Sequence, residues 1–246
     1  MTNVLMMASY GLEIVECGGA IGRALAAGDS VHAAVLMCRE ESKPQVARAA
    51  AVLGVEHVDF LDVPFGEVEF HGETKYKVVE LIRRTRPDVI IMQDPEHAQH
   101  DLDPDRRVIA TLYAESLAIA GRDWRIEECG GHDPHPIPTI YYMTPEQPNC
   151  VIEIGDALPL KLRALEELSA QNVFSAEHWL ARTTPEILRG VVPAWTDDDP
   201  ATLGREGQKA LFTALALAHG LASHSGAVLG EPYRREGTFV MDRLTP

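Results

Sequence analysis

Asn3-Val4-Leu5-Met6-Met7-Ala8-Ser9-Tyr10-Gly11-Leu12-Glu13-Ile14-Val15-Glu16-Cys17-Gly18-Gly19 is the stretch whose reading decides the fold. Residues 3–8 form a short apolar run and read as a strand. Residues 9–17 read as a loop, and residues 18–27, rich in Ala and Gly, suit a helix packed closely on a sheet.

Outward from this unit the same alternation repeats. Residues 31–37, 57–61 and 88–92 read as strands, with helical periodicity over 43–53 and 75–84 between them. Residues 106–120 then form a long amphipathic helix, with Ala110, Leu112, Tyr113, Leu117 and Ala118 available to bury. Short strands alternating with helices imply βαβ units, hence an α/β class with a mostly parallel sheet. Right-handed crossovers place successive strand-to-helix loops on one edge of that sheet, where ligands of such folds bind. The loops to watch are residues 9–17, 38–44, 61–69 and 93–105.

The second half is less regular. Residues 130–138 form a Gly-, Pro- and His-rich loop, 139–143 and 151–154 are strand-like, and 160–171 and 207–221 read as helices, with an acidic turn at 196–200. No repeat or linker divides the chain. The expectation is one domain over 1–246, with a regular half at 1–125 and a less regular half at 126–246.

With 246 residues and 46% hydrophobic content, the chain can bury a substantial core. The net charge of −15 argues against nucleic acid as a partner, because neutralising phosphates needs clustered Lys and Arg. No run approaches the ~20 apolar residues of a membrane span, and no basic, apolar leader is visible. Cys17, Cys38, Cys129 and Cys150 are scattered without a CxxC pair, so the expected compartment is cytoplasmic. Cys17 and Cys38 read as small core residues.

Taken together, the pieces resemble the PIG-L/LmbE-like superfamily, which includes zinc-dependent N-deacetylases. That family's pattern is Ala-His-Pro-Asp-Asp-Glu, three residues, then Cys-Gly-Gly. Here Ala8, Glu13 and Cys17-Gly18-Gly19 keep its length and ends. Residues 49–55, Arg86-Pro87-Asp88-Val89-Ile90 and the closing Glu231-Pro232-Tyr233-Arg234 match further landmarks. The resemblance implies a Rossmann-like three-layer fold. A narrower likeness is to the oxalomesaconate hydratase branch, through Thr144-Pro145-Glu146-Gln147-Pro148 and the helix after Lys161, with His178 near that branch's His-Leu-Trp-like residues.

The departures bear on the chemistry. The family's zinc-binding His and Asp fall on Ser9 and Leu12, its general-base Asp on Gly11, and its last zinc-binding His on Arg106. Leu and Gly offer no donor, Ser is an unusual ligand, and Arg is a permanent cation. The expected cofactor is therefore none, with an alternative of zinc held by shifted ligands, His97, His100 and Asp94.

Arg106 has two readings. Its guanidinium replaces the ion as a fixed positive charge for a carboxylate or developing enolate, or it decorates a helix start in an ion pair. Glu13, His97 and His100 are the candidate acid–base groups beside it. Glu13 reads equally as a first-turn acid favoured by the helix dipole. Ser9, Tyr10, Arg39, Glu40 and Asp103 are candidate substrate contacts; Asp103 also suits a helix cap ahead of Pro104. His132 and His135 lie in the Gly/Pro loop and could reach a neighbouring subunit or a metal.

Three functions remain open. The first is a metal-independent enzyme of lyase or hydratase type on a small anionic metabolite. The second is a C–N hydrolase with relocated metal, and the third a non-catalytic binding or partner protein. A homo-oligomer is compatible with the irregular, apolar second half.

Overall fold

The computed structural model describes residues 1–237; residues 238–246, which the single-domain expectation includes, lie outside the described residues. Five parallel strands form most of the sheet: β1 (Asn3–Ala8), β2 (Ser30–Val35), β3 (Val58–Phe60), β4 (Val89–Gln93) and β5 (Thr139–Met143). β6 (Cys150–Glu153) and β7 (Gly230–Arg235) complete it, β7 running antiparallel to both β5 and β6. The order is β3-β2-β1-β4-β5-β7-β6. The fold is the mostly parallel, Rossmann-like α/β sheet that the sequence implies.

Between the strands run α1 (Leu12–Glu16), α2 (Gly18–Ala26), α3 (Lys43–Leu53), α4 (Glu73–Thr85), α5 (Pro95–His100) and α6 (Pro104–Ala120). After β6 come α7 (Leu158–Glu166), α8 (Ser169–Leu180), α9 (Pro185–Val191) and α10 (Pro200–His219).

Strand periodicity divides β1 between two cores. Val4, Met6 and Ala8 pack with Ile14, Ile21, Val46 and Leu165 on one face. Leu5 and Met7 pack with Val79, Ile82, Ile109 and Leu112 on the other. Helices cover both faces, which is why the run is continuously apolar instead of alternating. Fully burying each such side chain contributes about 1.5–3 kcal/mol.

Several elements differ from the sequence reading, among them α9, and α10, which starts at Pro200 and not at residue 207. Residues 160–171 are not one helix: the chain breaks at Leu168, whose side chain is 2% exposed in the core. Asn172 Nδ2 donates to the Leu165 carbonyl at 3.1 Å, replacing a helical bond lost at the break. Residues 93–105 hold α5, started by Pro95 with the Asp94 side chain accepting from Glu96 N–H at 2.8 Å.

Strand order sets the place for a ligand. β1 is flanked by β2 on one side and β4 on the other, so the chain leaves the ends of β1 and β4 in opposite directions. A crevice opens there, outside the carboxyl ends. Tyr113 of α6, 2% exposed, donates to the Ala8 carbonyl at 2.9 Å and fixes the end of β1.

Candidate functional site

The segment expected as a loop after β1 turns at once into α1. Gly11 makes that turn at φ +106°, and a Cβ there would lie 2.8 Å from Val46 Cγ2. In this conformation an acid at position 11 would meet both backbone strain and the Val46 side chain. The helix places Glu13 and Glu16 three residues apart on one face.

Glu13 is 1% exposed. Its Oε2 accepts from the backbone N–H of Gly11 at 2.9 Å and of Tyr10 at 3.2 Å. Its Oε1 accepts no aligned hydrogen bond and faces Arg106 Nη1 at 3.1 Å. Arg106 Nη1 also donates to Gln93 Oε1 at 3.1 Å, and its Nε lies 3.4 Å from Asp101 Oδ2. The guanidinium carbon stands 5.0 Å from the Tyr10 ring centroid, a cation–π contact. Burial alone would depress the Arg106 pKa; the charges of Glu13, Glu16 and Asp101 outweigh it and raise it.

Tyr10 continues the stack. Its ring lies 5.7 Å from Phe65 at 12°, and Arg39 covers Phe65 from 5.8 Å. Its phenol donates to Asp103 Oδ2 at 2.6 Å. Burial, then that bond and the Asp103 charge, keep the phenol protonated well above its ordinary range. Asp103 Oδ1 accepts from Asp105 N–H at 2.9 Å, so it is also the expected cap of α6.

These groups surround a cavity of about 380 Å³ whose wall includes Tyr10, Cys38, Arg39, Phe65, Asp103 and Arg106. Two cations, Arg39 and Arg106, and three aromatic rings, Tyr10, Phe65 and Phe174, line it, a surface suited to a flat anion. Cys38 is half-buried on this wall, not a core residue, and burial pushes its thiol up to about 11. It is not a thiolate nucleophile at neutral pH.

The other expected residues separate. Glu13 stands behind Arg106, off the cavity wall, where it holds the guanidinium in place. Ser9 is 2% exposed, its carbonyl accepting from Met37 N–H at 3.0 Å. His97 is not beside Arg106 in this cavity: its Nδ1 meets Glu146 Oε1 at 2.8 Å on the wall of a second cavity of about 310 Å³. His100 is exposed, because α5 turns Ala98 to the core and carries residue 100 to the far side. Glu40 is exposed and paired with Lys43, away from both cavities. His135 Nε2 lies 2.8 Å from the Pro87 carbonyl, a core role.

Asp94 is fully buried, and both its oxygens are engaged by Arg234, at 2.7 and 2.8 Å. It is thus held apart from His97 and His100. Among the described residues, no three His, Cys, Asp or Glu side chains are grouped to share an ion. At the family's own positions the chain presents Ser9, Gly11, Leu12 and a cationic Arg106 that already faces Glu13. That donor set does not fit zinc.

Sequence reasoning missed Gln93, Phe65 and Glu16. The signal for Glu16 was present: three residues beyond Glu13, it shares that helix face. Phe65 lies in a watched loop, but nothing in its own segment marks it as Tyr10's stacking partner.

Cys17-Gly18-Gly19 has a structural reason. Gly19 and Ala20 N–H groups donate to Glu231 at 3.1 and 2.8 Å, and a Cβ on Gly19 would lie 2.7 Å from Glu231 Oε2. Lys161 Nζ meets the same carboxylate at 2.7 Å, and Tyr233 donates to its other oxygen at 2.7 Å.

A family model described as GlcNAc-PI de-N-acetylase (PIG-L) matches residues 13–112, beginning just past the exchanged positions 9–12. A diacetylchitobiose deacetylase from Thermococcus kodakarensis is 31% identical over 152 residues, covering 61% of this chain and 54% of that protein. The chain thus spans about half the length of that relative. Among solved structures, the conserved protein TT1542 from Thermus thermophilus superposes with a TM-score of 0.73 at 19% identity, covering 100% of both chains. GalB, a 4-carboxy-2-hydroxymuconate hydratase from Pseudomonas putida KT2440, does so with 0.68 at 18% identity, again over 100% of both. The last two likenesses concern the fold. Through the matched segment, the retained Glu13 and Cys17-Gly18-Gly19, and the sheet order, the chain is similar to the PIG-L/LmbE-like superfamily over residues 13–112 and shares its fold.

Proposed function

We propose that this protein has lost the family zinc site and binds a small, planar, anionic metabolite in the 380 Å³ cavity, acting on it by lyase- or hydratase-type chemistry. One observation carries the reading. Arg106, at the position of a family ligand, is held by Glu13, Gln93 and Asp101 with its side chain 20% exposed toward that cavity. A fixed guanidinium in a partly dry site stabilises a carboxylate, and stabilises an enolate more strongly as negative charge develops.

In a hydration, water adds across a carbon–carbon double bond conjugated with the bound carboxylate. Its oxygen bonds to the β-carbon, and a proton goes to the α-carbon. Arg106 offsets the charge of the enolate between those steps. The Tyr10–Asp103 pair, joined by a 2.6 Å hydrogen bond on the cavity wall, is the group placed to relay the proton. Arg39 and Phe65 receive the distal part of the ligand.

Calorimetric titration with cis,cis-muconate, a planar conjugated dicarboxylate, tests this reading. The expected result is saturable binding weakened at least ~100-fold in Arg106→Met, about 2.7 kcal/mol. Undiminished binding in that variant refutes it.

The second reading is a C–N hydrolase, favoured by the 31% identical deacetylase. Elemental analysis of protein purified without added metal separates the two. Stoichiometric zinc, lost in His97→Ala or His100→Ala, establishes relocated ligands and the hydrolase. Anion binding without turnover leaves a non-catalytic binding protein.

A further inference from the structure

We propose that the second cavity, at the C-terminal end of α1, is a binding site for the ammonium group of a primary amine with a short apolar body, with Glu16 as its counter-charge. The cavity is about 310 Å³ and opens outside the carboxyl ends of β5 and β6. Its apolar wall is Met143, Ile154, Phe212 and Leu215. Its polar groups include Glu16, Glu146, His97 and His219, with Lys161, Glu231, Tyr233 and Thr144 beside them. A ligand with an apolar stem and a charged head matches this division.

The sign of the head follows from which charges are already matched. Lys161 is spent on the Glu16 carbonyl at 2.5 Å and on Glu231 at 2.7 Å, and lies 4.9 Å from the Phe212 ring centroid. Tyr233 is likewise committed to Glu231. Glu146 has His97. Among the described residues, the Glu16 carboxyl has no hydrogen-bond or ion-pair partner of its own, so the unmatched group on the wall is an acid. An ammonium is its complement, whereas an anion would meet Glu16 and Glu146 together.

Strain gathers at the same place. Thr144, on the cavity wall, holds φ at +47°, which a β-branched residue avoids, and its hydroxyl is buried without a partner among the described residues. Such conformations persist where the surroundings over-determine them, commonly at ligand sites. The Thr144-Pro145-Glu146 segment, which carries the hydratase-branch likeness, thus forms one rim of this cavity.

Binding is coupled to a proton. Burial first, and then the Glu13 carboxylate, push Glu16 up to about 7. Arg106 from α6, Lys161 from α7 and His97 from α5 act in the opposite direction. Glu146, Glu231 and Tyr233 of β7, His219 of α10 and Cys17 are the other charged or titratable groups lining the cavity. An incoming ammonium favours the ionised carboxyl and expels its proton.

The test is calorimetric titration of the full chain with hexylammonium chloride, against 1-hexanol and sodium hexanoate, in buffers of differing ionisation heat. Binding of hexylammonium should tighten roughly tenfold between about pH 6 and about pH 8, with proton release. Glu16→Gln should weaken it at least ~tenfold at the higher pH and flatten that dependence. Leu215→Trp, at the exposed rim, should block entry while leaving the fold intact. No binding, equal binding of hexanol, preference for hexanoate, or an unchanged affinity in Glu16→Gln each overturns the proposal.

Discussion

Replacing Glu16 by Gln should change how the stability of this protein responds to pH. The carboxyl rises from 4.5 to about 7 on folding, chiefly through burial and then through Glu13. Between those values the folded chain holds a proton that the unfolded chain has released. Stability therefore falls as pH rises through the window, then levels above pH 7. A rise of about 2.5 in pKa, at ~1.36 kcal/mol each, corresponds to roughly 3 kcal/mol. Gln keeps the shape and cannot ionise, so the variant lacks this loss. Urea unfolding of both proteins from about pH 4.5 to about pH 8.5 gives two stability curves. Their difference should move by about 3 kcal/mol in favour of the variant as pH rises, with its midpoint between the two pKa values. Subtraction removes the groups common to both proteins. A difference that stays flat, or moves in the opposite direction, would refute the claim that Glu16 folds as an acid.

Other substitutions probe separate links. Gly11→Asp restores the residue type the family uses as base, yet it must adopt φ +106° against Val46; thermal melting should show a loss of about 1–3 kcal/mol. Glu231→Ala leaves Lys161 buried without its carboxylate and uncovers the start of α2, so urea unfolding should show a cost of about 3–5 kcal/mol. Tyr10→Phe removes the 2.6 Å bond to Asp103 while keeping the stack, and should cost about 0.5–1.5 kcal/mol in the same assay.

The fold was legible where hydrophobic periodicity and chain order agree. Asn3–Ala8, Lys43–Leu53 and Thr139–Met143 fall where the sequence places them, because both faces of the sheet are buried and short loops leave little freedom. The break at Leu168 was not legible, since no Gly or Pro marks it; a core contact and the Asn172 side chain decide it. The helix at Pro95–His100 was hidden in a stretch that reads as polar loop.

The site was legible in part. Arg106, Tyr10, Arg39 and Asp103 meet at one cavity, as loops on one sheet edge should. His97 and His100 were grouped by nearness in sequence, but a helical turn sends them to different surroundings. Glu13 kept its position while its geometry makes it a support for Arg106. Residue types fixed the sign of the cavity; the direction of each side chain came from packing, which no local pattern records.

The carboxylate that closes the start of α2 also orders events in time. Gly19 finds its acceptor in Glu231, 212 residues further along the chain. At about 5–20 residues per second, a ribosome needs roughly 10–40 seconds to deliver that partner. Until then the helix following the site segment lacks its N-terminal anchor, and Lys161 has no carboxylate to meet. Contacts of such sequence separation form late and slow folding. From the completion of β5 until β7 arrives, the nascent chain thus carries the β5 edge of its sheet unpaired.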